Sequence, residues 1–451
     1  MRGVTGRARR ALAALVLLTT TAAAPVSAAP TARLLAGAAS VTVDLPDDTP
    51  LAGYGGFPRR AWLPDLIGRY PDTFWFRPSS GVHDPIKVRA LVLEAGDARV
   101  LWITADLIGM DASLVSDLRA RLDQLGLRYS AVVAAASHTH SGPGAFARSD
   151  LFGFIAVDRE SPRVRGRVFS AMEEASRQAE RRKRPASVGT GRSEIAGLTA
   201  SRVHGPLDSE LGVLKVMGAD NRPVAVVWNY AIHGTALGRE NFKLSGDVMG
   251  DAAARIEEQL GAPALFVNGA EGDVSPRQRG WDGVAAIGKA LSAGVLAAWP
   301  RIAPDPEQRL TAAVETAALP APGLELRNCL GGWIPRGTRV GLRAALPASA
   351  DVVAVGIGRS AWVAIPGELE TQLGQEIKTA GRGRFTHTFV AGLANGYLGY
   401  FVTSEHFRTP SYISCGSLYG ERGGEILRGA AVTALQELAE RRVARVVRPG
   451  R

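Results

Sequence analysis

Ala131-Val132-Val133-Ala134-Ala135-Ala136 runs directly into Ser137-His138-Thr139-His140-Ser141-Gly142-Pro143-Gly144. The apolar half has the pattern of a strand. The second half, a histidine pair at i, i+2 followed at once by Gly-Pro-Gly, suits neither helix nor strand. It reads as a loop that presents imidazoles at a strand end, where metal sites and general bases are commonly built. The alternative is a solvated loop carrying two incidental histidines of the seven in the chain. Upstream, Val100–Ala105 reads as a strand, and Asp111–Leu125 as an amphipathic helix with Leu114, Leu118, Leu122 and Leu125 on one face, stopped by Gly126.

The same rhythm continues along the chain. Val213–Met217 and Val224–Tyr230 read as a hairpin across Gly218–Pro223. Next come a helix from Gly246 to Leu260, the strand Ala264–Asn268 and a helix near Gly283–Trp299. The strand Trp362–Ile365, a helix from Glu368 to about Thr379, the strand Thr386–Ala391 and a helix from about Glu425 to Val446 complete the series. Strands alternating with helices predict an α/β fold of mixed, partly parallel sheets flanked by helices, with the active site at the carboxyl ends of strands.

At 451 residues the chain buries a large core, and 46% hydrophobic against 21% charged residues is ordinary globular composition. Residues 1–29 read as a secretory signal peptide: Arg2, Arg7, Arg9 and Arg10 precede the apolar run Ala11–Leu18, with small residues near Ala28 for cleavage. No later run is expected to cross a bilayer, so the mature protein is expected to be secreted and soluble. Residues 30–446 are expected to form the main domain, within which the Pro- and Gly-rich stretch 303–343 is expected as an inserted loop or subdomain, and 447–451 as a basic tail. The net charge of +10 is concentrated at the termini, with four arginines in the first ten residues and five in the last eleven. The remainder is close to neutral, and there is no nucleic-acid signature. Cys329 and Cys415, the only cysteines, suggest one disulfide in an oxidising compartment. No feature speaks to oligomeric state.

Polar residues gather just after the strands: Asp106, His138 and His140, His233, Asp273 and Ser275, Glu368, then Tyr397 and Tyr400. In a mostly parallel sheet all of these meet at one carboxyl edge. Two histidines, a carboxylate and a phenol there suit a borderline-soft cation such as Zn²⁺. Several of these residues also have structural readings. Asp106 either caps a turn or orients an imidazole, and Asp273 reads as the cap of the Val274–Ser275 turn. His83, His204, His387 and His406 read as structural, packing or surface histidines.

In their order, His-Thr-His-Ser-Gly-Pro-Gly (138–144), the strand-borne His233, Gly-Asp-Val-Ser-Pro (272–276), Pro-Gly-Glu (366–368) and Asn-x-Tyr-x-x-Tyr (395–400) resemble the neutral/alkaline non-lysosomal ceramidases. The resemblance spans about residues 36–440. It implies a zinc-dependent hydrolase of N-acyl-sphingoid amides, with one zinc per chain held by His138, His233, Glu368 and Tyr400. It also implies Ser275 as nucleophile or substrate-orienting hydroxyl, Arg202 as an active-site arginine and His140 as a proton-transfer residue. Tyr397, Tyr412 and Tyr419 would bind substrate. Arg277 stands where the family commonly has asparagine, and the C-terminal β-sandwich of longer members is absent from this sequence.

The expected function is thus cleavage of ceramide or a related N-acyl lipid to a fatty acid and an amine. The alternatives are hydrolysis of a different amide or ester on the same scaffold, and a catalytically silent binding protein. Attack comes either from water activated by the cation or from Ser275, which needs a partner base. Between Phe57 and Phe76, nine large apolar residues interleave with prolines and with Arg59, Arg60 and Arg69. This segment either packs onto the core or forms an apolar rim for peripheral membrane contact.

Overall fold

A computed structural model describes residues 33–447; the predicted signal peptide and all but the first residue of the basic tail lie outside them. The first sheet is built in chain order from β1 (Leu35–Thr42), β2 (Lys87–Ala95), β3 (Ala98–Ala105) and β4 (Ala131–Ala136), with helix α1 (Ala112–Gln124) between the last two. A three-residue turn of helix, α2 (Asp150–Phe152), leads through a π-helical segment at Gly153–Val157 to α3 (Pro162–Arg181). Then follow β5 (Arg184–Glu194), the short β6 (Thr199–Ser201), β7 (Glu210–Gly218), β8 (Pro223–Tyr230), α4 (Asp247–Leu260) and β9 (Ala264–Asn268). Eight of these strands form one sheet in the order β4-β3-β2-β1-β5-β7-β8-β9.

Only two neighbouring pairs in that sheet, β3–β4 and β8–β9, are parallel; the others are antiparallel. The condition of a mostly parallel sheet therefore fails. The two parallel pairs sit at opposite margins of the sheet, and the site forms because the ends of β4 and β9 come together. Asn268 ties them: its Nδ2 donates to the carbonyls of Ser137 (3.2 Å) and Ile232 (2.8 Å), while its Oδ1 accepts from Ile232 N.

Further along, β10 (Val274–Pro276) pairs with β6, and α5 (Gly280–Ala298) packs beside α4. The second sheet begins with β11 (Leu310–Ala318), followed by the small hairpin β12 (Gly323–Glu325) and β13 (Arg339–Gly341), with α6 (Leu326–Leu330) between them. β14 (Ser349–Ile357) and β15 (Ser360–Ala364) come next, then β16 (Glu368–Leu369), α7 (Thr371–Ala380), β17 (His387–Ala391) and β18 (Tyr400–Phe401). Three short or long helices close the chain: α8 (Ser404–Phe407), α9 (Tyr412–Cys415) and α10 (Gly423–Val447). The four-stranded order is β11-β14-β15-β17. Since β11 is its edge strand, part of the 303–343 stretch is integral to this sheet.

The sheets face each other across one apolar layer that includes Trp102, Leu214, Val355, Trp362 and Phe389. Against the outer face of the first sheet lie α1 and α3 on one half and α4 and α5 on the other; α7 and α10 cover the second sheet. The result is four layers, helix–sheet–sheet–helix, a stable way to bury both faces of two sheets. The helix Gly280–Arg301 is long and apolar enough to cross a membrane, contrary to the expectation that no such run follows the signal segment. Its inner face, with Val284, Ile287, Leu291 and Val295, is buried against α4 and the first sheet.

Asn395 joins the halves. The side chain of Asn395 bonds to Ala134 N (2.9 Å) and Val132 O (3.0 Å), and its backbone N–H donates to Ala134 O, covering the outer margin of β4. Cys329 in α6 and Cys415 in α9 form a disulfide, as their isolation in the sequence suggests.

Candidate metal centre and substrate pocket

His138 sits two residues past the end of β4 with a left-handed backbone, φ 69°. Its Nδ1 is 2.5 Å from the Ile108 carbonyl, which leaves Nε2 facing inward. His233, three residues past β8, is oriented in the same way by the Glu271 carbonyl, 3.0 Å from Nδ1. A carbonyl partner on Nδ1 fixes the tautomer in which Nε2 is free to bind a cation. The Nε2 atoms lie 3.4 Å (His138) and 3.1 Å (His233) from one oxygen of Glu368, Oε2. Donors around a tetrahedral zinc with bonds of about 2.0–2.1 Å are about 3.3 Å apart, so these spacings fit.

Glu368 belongs to β16 rather than to a helix: Glu368 and Tyr400 are direct partners in the two-residue parallel ladder of β16 with β18. The predicted helix starts three residues later than expected, at Thr371. Asp273 Oδ1 accepts from its N–H (2.8 Å) and hydroxyl (2.7 Å), so Asp273 holds α7 instead of capping the turn before Ser275. Asp106 likewise takes neither predicted role. It accepts from Lys87 N and lies 3.5 Å from Arg89, deep under the sheet.

All three principal donors are buried to within 1% of exposure. Burial holds His233 near a pKa of about 3, with Arg202 and His138 adding to the effect, so its imidazole is neutral. His140 is also driven well below its ordinary value, first by burial and then by His138 and His233. For Glu368 burial works against the charge, yet His138 and His233 hold the carboxyl well below the usual range. Burial and the Glu368 charge raise Tyr397, Tyr400 and Tyr412, which keep their protons. Glu368 Oε2, although buried, accepts no hydrogen bond from the described residues. Two imidazoles whose Nε2 atoms face inward and an ionised carboxylate oxygen without a hydrogen-bond partner among the described residues are a donor set that can hold a metal ion.

Tyr400 OH is 3.5 Å from His233 Nε2 and makes a short contact with Tyr412 OH. Tyr397 donates to the other oxygen of Glu368 at 2.6 Å; it supports the carboxylate while its ring faces the pocket. Arg202 links the group, donating from Nε to Ser275 Oγ (2.6 Å) and from Nη1 to Tyr412 OH (2.7 Å), with Nη1 also 3.2 Å from His233 Nε2. His140 Nε2 stands 3.4 Å from His138 Nε2, and its Nδ1 has no partner among the described residues. Gly53 makes room for this ring, since a Cβ there would lie 2.5 Å from Nδ1. The structure thus brings together every proposed site residue except Tyr419. That ring stacks on Phe401 in the core and its hydroxyl donates to Pro347 O, so it is corrected to a packing residue. Arg277 also points away, donating to Thr199 O.

An apolar cavity of about 510 Å³ adjoins the site, with Tyr397, Tyr400 and Tyr412 in its wall beside Ile108, Phe152 and Leu418. Sequence reading missed this cavity because its lining comes from six separate segments. It also missed Arg59, wholly buried, which donates to the carbonyls of Ala52 and His140 and fixes the histidine loop from behind.

Residues 76–289 match the family model for neutral/alkaline non-lysosomal ceramidase, N-terminal. This segment carries His138, His140, Arg202, His233 and Ser275. Curated relatives include a neutral ceramidase of Mycobacterium tuberculosis, 27% identical over 233 residues, 45% of this chain and 36% of that protein. One from Oryza sativa subsp. japonica is 28% identical over 215 residues, 41% of this chain and 26% of that protein. The chain therefore aligns with about a third or less of the length of these relatives. In three dimensions it is similar to the neutral ceramidase of Pseudomonas aeruginosa, with a TM-score of 0.77 over 91% of this chain and 75% of that chain at 18% identity. A structure described as ceramidase complexed with C2 also has a TM-score of 0.77. These likenesses establish a shared fold across both sheets, including the part of the chain beyond residue 289.

Proposed function

We propose that the chain is an exported, zinc-dependent amidohydrolase that cleaves the amide of ceramide or a related N-acyl lipid, yielding a fatty acid and a sphingoid or similar amine. The observation that carries this reading is the meeting of His138, His233 and Glu368 Oε2 beside an apolar cavity whose wall holds Tyr397, Tyr400 and Tyr412. The neutral ceramidase relatives support the substrate class, and the Cys329–Cys415 bridge supports export to an oxidising compartment. One zinc would be held by His138, His233 and Glu368, with Tyr400 as the weakest donor. When bound there, zinc supplies Lewis acidity and makes water a stronger acid.

The chain's own residues supply the rest. Arg202 donates to Ser275 Oγ, so the serine proton is free to bond a polar group of the substrate. No described residue accepts that proton, which favours water over serine as the nucleophile. The neutral His140 takes the proton of the attacking water and returns it to the amide nitrogen as the C–N bond breaks. Tyr400, which keeps its proton, and Arg202 face the oxyanion that forms on the carbonyl oxygen. The acyl chain occupies the apolar cavity. Trp62, Leu63, Leu66 and Ile67, all at least 78% exposed, make peripheral contact with the bilayer that carries the substrate.

Metal analysis of the purified chain and release of fatty acid from ceramide, short N-acyl amines and simple esters test the proposal. The expected result is close to one zinc per chain, lost in His233→Ala, with ceramide preferred. Zinc retained in His233→Ala would overturn the ligand set. Turnover of esters alone would replace ceramide with another substrate class.

A further inference from the structure

Glu271 lies outside the donor set described so far. It is completely buried, and neither of its carboxylate oxygens has a hydrogen-bond partner among the described residues. One of those oxygens, a ring nitrogen of His138 and an oxygen of Glu368 all lie within 4.8 Å of one another. The backbone carbonyl of the same residue orients His233, so Glu271 aligns one imidazole and turns its carboxylate toward the other. Gly392 provides the space. A Cβ there would come within 2.9 Å of Glu271 Oε2 and 2.4 Å of the Gly269 carbonyl oxygen.

A buried carboxylate without donors must find a cation or remain protonated. The described residues offer Glu271 no basic partner of its own. A dication at this site meets one negative charge on Glu368 and a further positive charge on Arg202, leaving an excess of positive charge that a second carboxylate offsets. Resting on the metal-dependent reading above, we propose that Glu271 supplies a second carboxylate to the same cation, making the principal donors two imidazoles and two carboxylates. An oxygen-rich set of this kind extends the site's preference beyond tetrahedral zinc to cations that accept more ligands, such as Mn²⁺ and Co²⁺.

The test uses the full chain, stripped with a chelator and reloaded with Zn²⁺, Co²⁺ or Mn²⁺, alongside Glu271→Gln and His233→Ala. Affinity is measured by competition with a chelating dye and coordination by the visible spectrum of the Co²⁺ form. Glu271→Gln is expected to weaken Co²⁺ and Mn²⁺ binding about tenfold or more and to intensify the Co²⁺ absorption as the site moves toward four-coordination. Thermal unfolding of the metal-free proteins shows whether the variant folds. Glu271→Asp, which keeps the charge but withdraws it by one methylene, replaces it if not. Unchanged affinity and spectrum in the variant that folds would overturn the role of Glu271. A wild-type chain that binds no metal, or His233→Ala that binds it normally, would instead overturn the ligand set on which the inference rests.

Discussion

Asp247 opens α4 in the left-handed conformation, φ 54°, with its carboxylate buried against the N–H groups of Leu237 and Val248. Burial raises its pKa from 3.8 to about 6, outweighing those two donors. In acid the folded and unfolded chains both hold the proton and nothing is lost. As pH rises from about 4 through 6, the unfolded chain ionises first, and the stability contributed by the protonated form disappears. Asp247→Asn tolerates the same backbone and does not titrate. Its stability relative to wild type should therefore improve by about 3 kcal/mol between pH 4 and pH 7.5. Urea unfolding of both proteins at each pH measures this, and a difference independent of pH would refute it. The residues of the site were legible where a polar side chain directly follows an apolar run, as with His138, His233 and Glu368. Glu271 shares that signal, in Gly269-Ala270-Glu271-Gly272, but was eclipsed by Asp273 two residues on. Tyr419 enters only through the resemblance of Ser417-Leu418-Tyr419-Gly420 to a family segment, and sequence does not distinguish a ring that lines the pocket from one that stacks on Phe401.

Among the elements, the strands and helices with clean apolar periods were read nearly to the residue: β4 and β9 coincide with their predicted bounds. The sheets are mixed and partly parallel as expected, and three strands without a clear sequence signal make up the antiparallel centre. β5, Arg184-Pro185-Ala186-Ser187-Val188-Gly189-Thr190-Gly191-Arg192-Ser193-Glu194, has glycine and polar residues where an alternating pattern needs apolar ones. Without β1, β2 and β5 the antiparallel centre of the sheet was invisible. The 57–76 segment divides where sequence offered a choice: Phe76 is buried, whereas Trp62, Leu63, Leu66 and Ile67 stand in solvent. Arg60 is held by the rings of Trp75 and Phe154 at the base of this loop. Replacing Trp62, Leu66 and Ile67 with serine should weaken sedimentation with phosphatidylcholine vesicles at least tenfold, since each buried apolar side chain contributes about 1.5–3 kcal/mol. Hydrolysis of a water-soluble N-acyl amine should not change. Equal vesicle binding by the variant would remove the loop from the membrane contact.

For the molecule as a whole, the candidate donors come from the end of β4, the end of β8, and the β16–β18 ladder of the other half. A cation there fastens the two sheets together, so its removal should cost global stability. With free zinc at about a thousand times its Kd, the bound form gains about 4 kcal/mol, and a chelator should lower Tm by several degrees in calorimetry, with full recovery on adding Zn²⁺. A Tm unmoved by verified metal loss would show that the halves hold together unaided. The seam is also closed by Asn395, whose amide imitates a neighbouring strand along β4. That strand, Ala-Val-Val-Ala-Ala-Ala, is uncharged and rich in small apolar groups, the kind of margin on which a second polypeptide can add itself. Loosening the 393–395 loop would uncover it, so damage at this one amide leads toward self-association and insoluble protein before it leads to a loss of chemistry.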